Sequence, residues 1–251
     1  MQAMTQLYHA TFSDILKPYG FRYIHGCFAR VYGEIIQSVR LHIFQGKKRC
    51  TIYFALIPLC QKIDYFDVGL YNLRACTLPP TWQQGDAWVF EQNEASVTAC
   101  IAEIRECVER NLLPLLKKCS TCQETLTALL DLEALFYQNR CTARCIWGKE
   151  EWIKALGNGI NLVDGRKYYM ALKAGNFSKA AEMMRAFLTM NLYPPQTEET
   201  AAAELKRTNI VAKEQEELAH LEAKDSAYFA PILAENEAYT TNVLKKYGLL
   251  R

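Results

Sequence analysis

Apolar and polar residues alternate along the first part of the chain, and this pattern predicts β-strands that bury one face. We predict one strand over residues 22–32 and a second over residues 34–45, with a turn at Gly33 between them. The second strand carries apolar side chains at odd-numbered positions, which define the expected core face: Ile35, Val39, Leu41 and Ile43. Residues 50–59 are apolar in both phases, as expected of a central strand covered on both faces or of a strand at a curved inner position. A short further strand is predicted near residues 70–76.

Helical spacing flanks this region on both sides. Residues 6–17 carry apolar side chains at nearly helical intervals and predict an N-terminal helix, which Pro18 and Gly20 terminate. The clearest helix is predicted over residues 96–118, where apolar side chains recur at helical intervals and Ser96 is available as the N-cap. Both helices are expected to pack against the sheet.

Beyond residue 122 the strand pattern ends, and the remaining apolar residues follow helical spacing. We therefore predict an α+β fold, in which an N-terminal antiparallel sheet packed on helices is followed by an all-helical C-terminal region. Residues 1–122 are expected to form the mixed α+β domain, and residues 123–251 the helical region docked on it.

One segment of the helical region has the pattern of a helical hairpin. Residues 168–181 resemble a single hairpin of the tetratricopeptide type, with Gly175 at the turn. Repeats of this kind bury their faces by stacking, and about three are needed for stability. No second copy is found at the required period, so a generic helix pair is the preferred interpretation.

Composition and charge exclude several classes of function. Half of the 251 residues are apolar, which is enough for a continuous core. The formal net charge is only +2, and the basic residues form no long stripe, which argues against a nucleic-acid partner. No apolar run is long enough to cross a bilayer, and the N-terminus shows no signal-peptide pattern. We therefore expect a cytoplasmic protein that does not bind membranes.

All 10 cysteines lie between Cys27 and Cys145, and most are expected to be reduced. Two close pairs, Cys119 with Cys122 and Cys141 with Cys145, contain the four thiolates of a possible tetrahedral zinc shell. The residues between the pairs are predicted to be helical, unlike the hairpin of a zinc ribbon. A redox role for the first pair is less favoured, because the pair follows a helix. We expect ordinary thiols, and neither metal nor other cofactor.

The histidines offer one catalytic alternative. His25 and Cys27 are predicted to lie on the same side of a strand, where their side chains could touch. A thiol or histidine-dependent hydrolase with a site around His25, Cys27 and His42 is therefore the competing hypothesis. No third member of a triad, phosphate loop or dinucleotide motif accompanies them.

A cationic sheet face is the preferred candidate site. Arg40 and His42 should project from the side opposite to the core face of their strand. If Arg30 joins them across the first hairpin, the face suits a carboxylate, a phosphate or an acidic partner surface. Either Trp82 or Trp88, in the long loop predicted after the sheet, would form a stacking lid. The alternative is an ordinary solvated outer face, because a half-buried antiparallel sheet requires polar residues on one side.

Four segments carry a likeness to a known family: residues 15–22, 28–30, 36–45 and 51–57. With Arg74, the two tryptophans and a helix over residues 101–116, they resemble the bacterial family called domain of unknown function 4304. The likeness covers about the first half of the chain. It implies a mixed α+β fold in a cytoplasmic bacterial protein, and it brings no activity, cofactor or catalytic residue. Residues 23–27 depart from the more polar hairpin start expected there.

The leading hypothesis is a non-enzymatic cytoplasmic binding or protein-interaction module. It would hold a protein partner through the face of Arg30, Arg40 and His42 or through the long C-terminal helices. The sequence leaves the identity of the partner and the oligomeric state open.

Overall fold

The computed structural model describes residues 2–44, 46, 48–64, 73–74, 87–91, 93–143, 165–192 and 201–250. Antiparallel strands in the order β1-β2-β3-β4-β5 form one sheet, and β6 also pairs with β4. The bounds of the strands are as follows: β1, Arg22–Ile24; β2, Cys27–Tyr32; β3, Ile35–Ile43; β4, Arg49–Pro58; β5, Leu73–Arg74; and β6, Trp88–Val89.

One helix precedes the sheet and the others follow it. Their bounds are as follows: α1, Gln2–Leu16; α2, Glu94–Cys107; α3, Leu113–Lys118; α4, Cys122–Ala143; α5, Gly165–Lys173; α6, Phe177–Leu192; α7, Ala201–Glu222; and α8, Ser226–Lys246. This arrangement confirms the predicted α+β fold with a helical C-terminal region. Within the residues described, no helix is both long and apolar enough to cross a membrane.

The helix predicted over residues 96–118 is present, but its winding changes near the middle. A π-helical turn, Val108–Leu112, joins α2 to α3. Pro114 lies at the start of α3, where a regular α-helix would bring its ring against the carbonyl group one turn earlier. The N-cap is Asn93, whose side chain accepts a hydrogen bond from the backbone N–H of Ser96 at 2.8 Å. Ser96 itself is therefore not the cap.

The first face of the sheet is covered by α1 and α2. Tyr8 of α1 meets Phe28 of β2 edge to face, with ring centroids 5.7 Å apart. The Tyr8 hydroxyl donates a hydrogen bond to the carbonyl oxygen of Val39 at 3.1 Å. Ile35 and Val39 are fully buried here, and Leu41 and Ile43 pack against the same cluster. The core face predicted for β3 is therefore confirmed.

The second face of the sheet is partly covered by the C-terminal end of α8. A smaller hydrophobic cluster joins the two: Cys27, Ala29, Ile36, Ala55, Ile57, Leu244 and Leu249. Arg22 of β1 donates a hydrogen bond to the carbonyl oxygen of Gly248 at 2.7 Å. Thr240 of α8 donates one to the carbonyl oxygen of Gln61, just beyond β4, at 2.7 Å. Most of β4 is therefore buried, as its apolar sequence predicts, and only Arg49 and Tyr53 keep exposed surface.

Two polar side chains join the first face of the sheet to the end of α3. Arg30 of β2 and Gln37 of β3 are cross-strand partners, and Nε of Arg30 donates to Oε1 of Gln37 at 2.9 Å. Gln37 Nε2 donates in turn to the carbonyl oxygens of Leu116 and Cys119, at 2.8 and 2.7 Å. These carbonyls lie at the C-terminus of a helix, where no intrahelical N–H reaches them. The sheet therefore caps α3.

The turn between β2 and β3 contacts the turn between α3 and α4. Gly33 has a φ of +59°, and a Cβ atom there would lie 2.2 Å from the carbonyl oxygen of Ser120. The backbone N–H of Glu34 donates to this oxygen at 2.8 Å. The Glu34 carboxylate accepts a hydrogen bond from the backbone N–H of Cys122 at 2.7 Å, which places a negative charge at the N-terminus of α4.

One hydrophobic cluster runs through both predicted parts of the chain. It includes Phe54 of β4, Ile104 of α2, Leu126 of α4, Met170 of α5 and Phe229 of α8. Sheet and helical region thus share a core that continues across position 122.

The helical region contains the same turn twice. Between α5 and α6, Gly175 has a φ of +70°, and the side chain of Asn176 accepts a hydrogen bond from the N–H three residues further on, at 3.1 Å. Between α7 and α8, Lys224 has a φ of +54°, and Asp225 accepts the equivalent bond at 3.2 Å. Helices α5 and α6 therefore form one hairpin, and α7 and α8 form a second. The sequence pattern predicts only the first of them as a hairpin.

Gly33→Ala should lower the free energy of unfolding by roughly 2–4 kcal/mol, because the new methyl group meets a backbone oxygen and the left-handed conformation is strained. Urea unfolding measures the change. Gly26→Ala is the control, since Gly26 has a φ of +80° but nothing within 4 Å of its Cβ position. Equal losses in the two variants would contradict a close approach at Gly33.

Gln37→Leu should cost roughly 2–4 kcal/mol in urea unfolding, because two buried carbonyl oxygens and the guanidinium of Arg30 lose a partner. Ser38→Ala changes the neighbouring residue on the other face, whose buried hydroxyl has no hydrogen-bond partner among the described residues. This control should change stability by less than about 1 kcal/mol. A similar small effect of Gln37→Leu would show that the helix cap is unimportant.

Candidate binding face

The part of the second sheet face beyond α8 carries cationic and aromatic residues side by side. Arg40 of β3 faces Tyr53 of β4, and His42 is paired with the buried Thr51. Phe44 and Arg49 are joined at the end of this ladder, where the N–H of Phe44 donates to the carbonyl oxygen of Arg49 at 2.9 Å. Alternate residues of a strand share a face. We call the five half-buried or exposed residues the outer patch: Arg40, His42, Phe44, Arg49 and Tyr53.

Ring contacts organise the outer patch. The His42 ring lies between Phe44, whose centroid is 4.8 Å away, and Tyr53, at 5.1 Å. The guanidinium of Arg49 lies over the ring of Phe44, 5.5 Å from its centroid. Contacts of this kind hold cationic and aromatic groups in fixed positions relative to one another.

The charge on the outer patch is positive. It contains two arginines, a histidine and no acidic residue. Arg40 is half-buried and, among the residues that the structure describes, forms no ion pair. This arrangement can accept an anion.

Arg30 does not belong to this face. The two-residue turn after β2 pairs Tyr32 with Ile35, and this register places Arg30 opposite Gln37 on the first, covered face. There the Arg30 guanidinium lies 4.3 Å from the ring centroid of Tyr32 and is 8% exposed. Burial lowers the pKa of Arg30. The predicted grouping of Arg30 with Arg40 and His42 is therefore wrong, and counting outward from the turn would have revealed it.

The predicted tryptophan lid is also corrected. Trp88 of β6 is paired with Cys50, on the face opposite to the outer patch, and is 3% exposed. It is part of the hydrophobic core because β6 adds its apolar side chain to the surface that α2 covers. Trp82 lies outside the described residues.

The geometry required for catalysis by His25 and Cys27 is not formed. His25, with a φ of +48°, and Gly26 make a two-residue turn between the paired residues Ile24 and Cys27. The exposed His25 ring meets the edge of the Tyr247 ring at 5.3 Å. Cys27 is fully buried, and its thiol donates to the carbonyl oxygen of Ile24 at 3.1 Å. His25 therefore lies in a turn and Cys27 in a strand, and a substrate cannot reach the buried Cys27 thiol.

The four cysteines proposed for zinc are separated by a helix. Cys122 begins α4 and Cys141 lies near its end, so a rise of 1.5 Å per residue separates them by about 28 Å along the axis. Cys145 lies outside the described residues. Across the described part of the chain, no group of three or more histidine, cysteine or acidic side chains is arranged for a metal. Cys122 and Cys141 therefore lie near opposite ends of α4.

The environment of the first cysteine pair also keeps its thiols protonated. Burial raises the pKa of Cys119 to about 11. Hydrogen bonding with Cys60, together with burial, raises the pKa of Cys122 well above its ordinary value. Metal binding and nucleophilic attack both require thiolates. In these surroundings neither thiol is a ready nucleophile for the redox role considered from the sequence.

Comparisons with protein-family models, with curated proteins and with solved structures find no match to this chain. The resemblance to the domain of unknown function 4304 is tested by none of them and stays a prediction. The fold and the site define an α+β protein with a cationic, aromatic sheet face.

The raised pKa of Cys119 predicts lower stability in alkali. The pKa of the folded thiol, about 11, exceeds the ordinary value of 9.0. The contribution of protonated Cys119 to the free energy of unfolding is therefore complete below pH 9 and is lost as pH rises towards 11. Between these values the free energy of unfolding should fall by up to about 1.4 kcal/mol per pH unit. Urea unfolding at several pH values measures it.

Cys119→Ala isolates this contribution from that of the buried tyrosines, whose pKa values are also raised by burial. The difference in unfolding free energy between wild type and variant should shrink as pH rises from 9 to 11. A difference that stays constant over that range would show that Cys119 ionises equally in both states.

Proposed function

We propose that this protein is a non-enzymatic binding protein that holds an acidic segment of a protein partner on the outer patch. The main support is Arg40, a half-buried arginine that has no ion pair among the described residues. A guanidinium that is partly withdrawn from water without a counter-charge is unfavourable. A carboxylate supplied by a partner would remove this cost.

The chemistry of the neighbouring residues favours an acidic peptide. Arginine binds carboxylates through two parallel hydrogen bonds, which fixes orientation as well as charge. Tyr53 and Phe44 supply flat apolar surface next to Arg40 and Arg49, and tyrosine with arginine is the combination enriched at the energetic centres of protein interfaces.

The remaining properties favour a cytoplasmic protein partner. The net charge of +2 and the small extent of the outer patch are poorly suited to the many phosphate contacts of nucleic-acid binding. The described cysteines are buried and form no disulfide, as expected in a reducing compartment: Cys27, Cys50, Cys60, Cys100, Cys107, Cys119 and Cys122.

Fluorescence polarisation with a fluorescein-labelled poly-glutamate peptide tests the proposal. Binding should weaken as salt rises, since the contact is electrostatic. Arg40→Gln should weaken it at least about tenfold, which corresponds to about 1.4 kcal/mol for the loss of charged hydrogen bonds. A labelled DNA duplex of similar charge is measured in parallel.

Arg105→Gln is the matched control, because Arg105 is an exposed arginine of α2 that pairs with Glu109 at 3.0 Å. It should leave peptide binding unchanged. If the two variants behave alike, or if wild type does not bind the peptide, the outer patch is not an acidic-peptide site. Tighter, Arg40-dependent binding of DNA would favour a nucleic-acid partner instead.

A further inference from the structure

Two buried thiols from different elements face each other beneath α2. The Sγ atoms of Cys50, in β4, and Cys100, in α2, are 3.8 Å apart. A disulfide needs a sulfur separation of about 2.05 Å, so the two sulfur atoms must approach by roughly 1.8 Å. We propose that Cys50 and Cys100 are a redox modification site, at which hydrogen peroxide converts the thiol pair to a reversible disulfide.

The surroundings assign a different role to each cysteine. Hydrogen bonding with Cys50 lowers the pKa of Cys100, so Cys100 is the better nucleophile. Cys100 is also 4% exposed, whereas Cys50 is fully enclosed. Cys100 is therefore the residue that reacts with peroxide, and Cys50 is the resolving thiol.

The reaction proceeds in two steps. The Cys100 thiolate attacks one peroxide oxygen, the O–O bond breaks, and the departing hydroxide takes up a proton to form water while Cys100 becomes a sulfenic acid. The Cys50 sulfur then attacks the Cys100 sulfur, the S–O bond breaks, and a second water leaves with the proton of Cys50. Two thiols lose two electrons to one peroxide, and a thiol reductant such as dithiothreitol reverses the change.

A second pair of neighbouring thiols provides an internal comparison. Cys60 and Cys122 share a hydrogen bond, but there the interaction raises the pKa of Cys122. The thiol of Cys60 also donates to the carbonyl oxygen of Tyr169 at 3.6 Å. The sulfur of Cys122 is thus held in the protonated, unreactive form.

The disulfide would link the start of β4 to α2, the helix that covers it. It closes a long loop that includes β5 and β6, and a cross-link of this length restricts the unfolded chain strongly. We therefore expect oxidation to stabilise the fold and to hold α2 against the sheet. The proposal does not depend on the function of the outer patch.

Peptide mapping of the full chain tests the disulfide. The protein is treated with a small excess of hydrogen peroxide, alkylated with iodoacetamide and digested without reduction. A peptide pair joined through Cys50 and Cys100 should appear, and the melting temperature should rise by roughly 5 °C or more and return after dithiothreitol. Recovery of both cysteines in alkylated form after treatment would overturn the proposal.

Variants test the order of the two steps. Cys50→Ser should stop at a sulfenic acid on Cys100, which dimedone traps, without a rise in melting temperature. Cys122→Ser should leave the Cys50–Cys100 disulfide unaffected. A peptide pair linked through Cys60 and Cys122, instead of Cys50 and Cys100, would contradict the assignment. Mapping of the wild-type protein decides the matter even if a variant fails to fold.

Discussion

The hydrogen bonds of the buried pair Arg30 and Gln37 are the interaction on which the arrangement of this protein depends. Both side chains lie on the covered face of the sheet, where polar groups without partners would be costly. The carbonyl groups at the end of α3 are equally costly to bury, because no further helical turn supplies their donors. Sheet and helix therefore satisfy each other, and the arginine charge is additionally favourable at a helix C-terminus. This mutual capping sets the position at which Gly33 meets Ser120 and α4 begins.

The same constraint decides which cations remain available for binding. Since Arg30 is committed to the helix cap, it contributes nothing to the opposite face. Arg40 is only one strand away in the sheet, but it belongs to the other phase of β3 and has no such partner within the described residues. The two arginines illustrate how the pleat of a sheet separates a structural charge from an accessible one. The outer patch is the surface left when the end of α8 has covered the rest of that face.

The cysteines divide by environment in a similar way. Cys119 and Cys122 lie at the junction between α3 and α4, where burial and neighbouring groups keep their protons in place. Cys50 and Cys100 meet between the sheet and α2, where one thiol supports ionisation of the other. Cys119 and Cys122 are close in sequence, so their spacing alone marks them as a candidate pair. Cys50 and Cys100 come together only when a strand and a distant helix pack against each other.

Local periodicity determined much of this fold in advance. The two-residue period of β3 identified its buried side, the apolar run of β4 identified a largely buried strand, and the helical period over residues 96–118 identified α2 and α3. These signals are local, because each strand or helix must present its apolar side chains at its own repeat. Tertiary structure alone decided the rest. The position of Arg30 depends on strand register, His25 became part of a turn, and Lys224 adopts at the second hairpin the backbone conformation that Gly175 adopts at the first. Register, caps and thiol pairs join residues far apart in sequence, and their energies depend on partners that a local pattern does not contain.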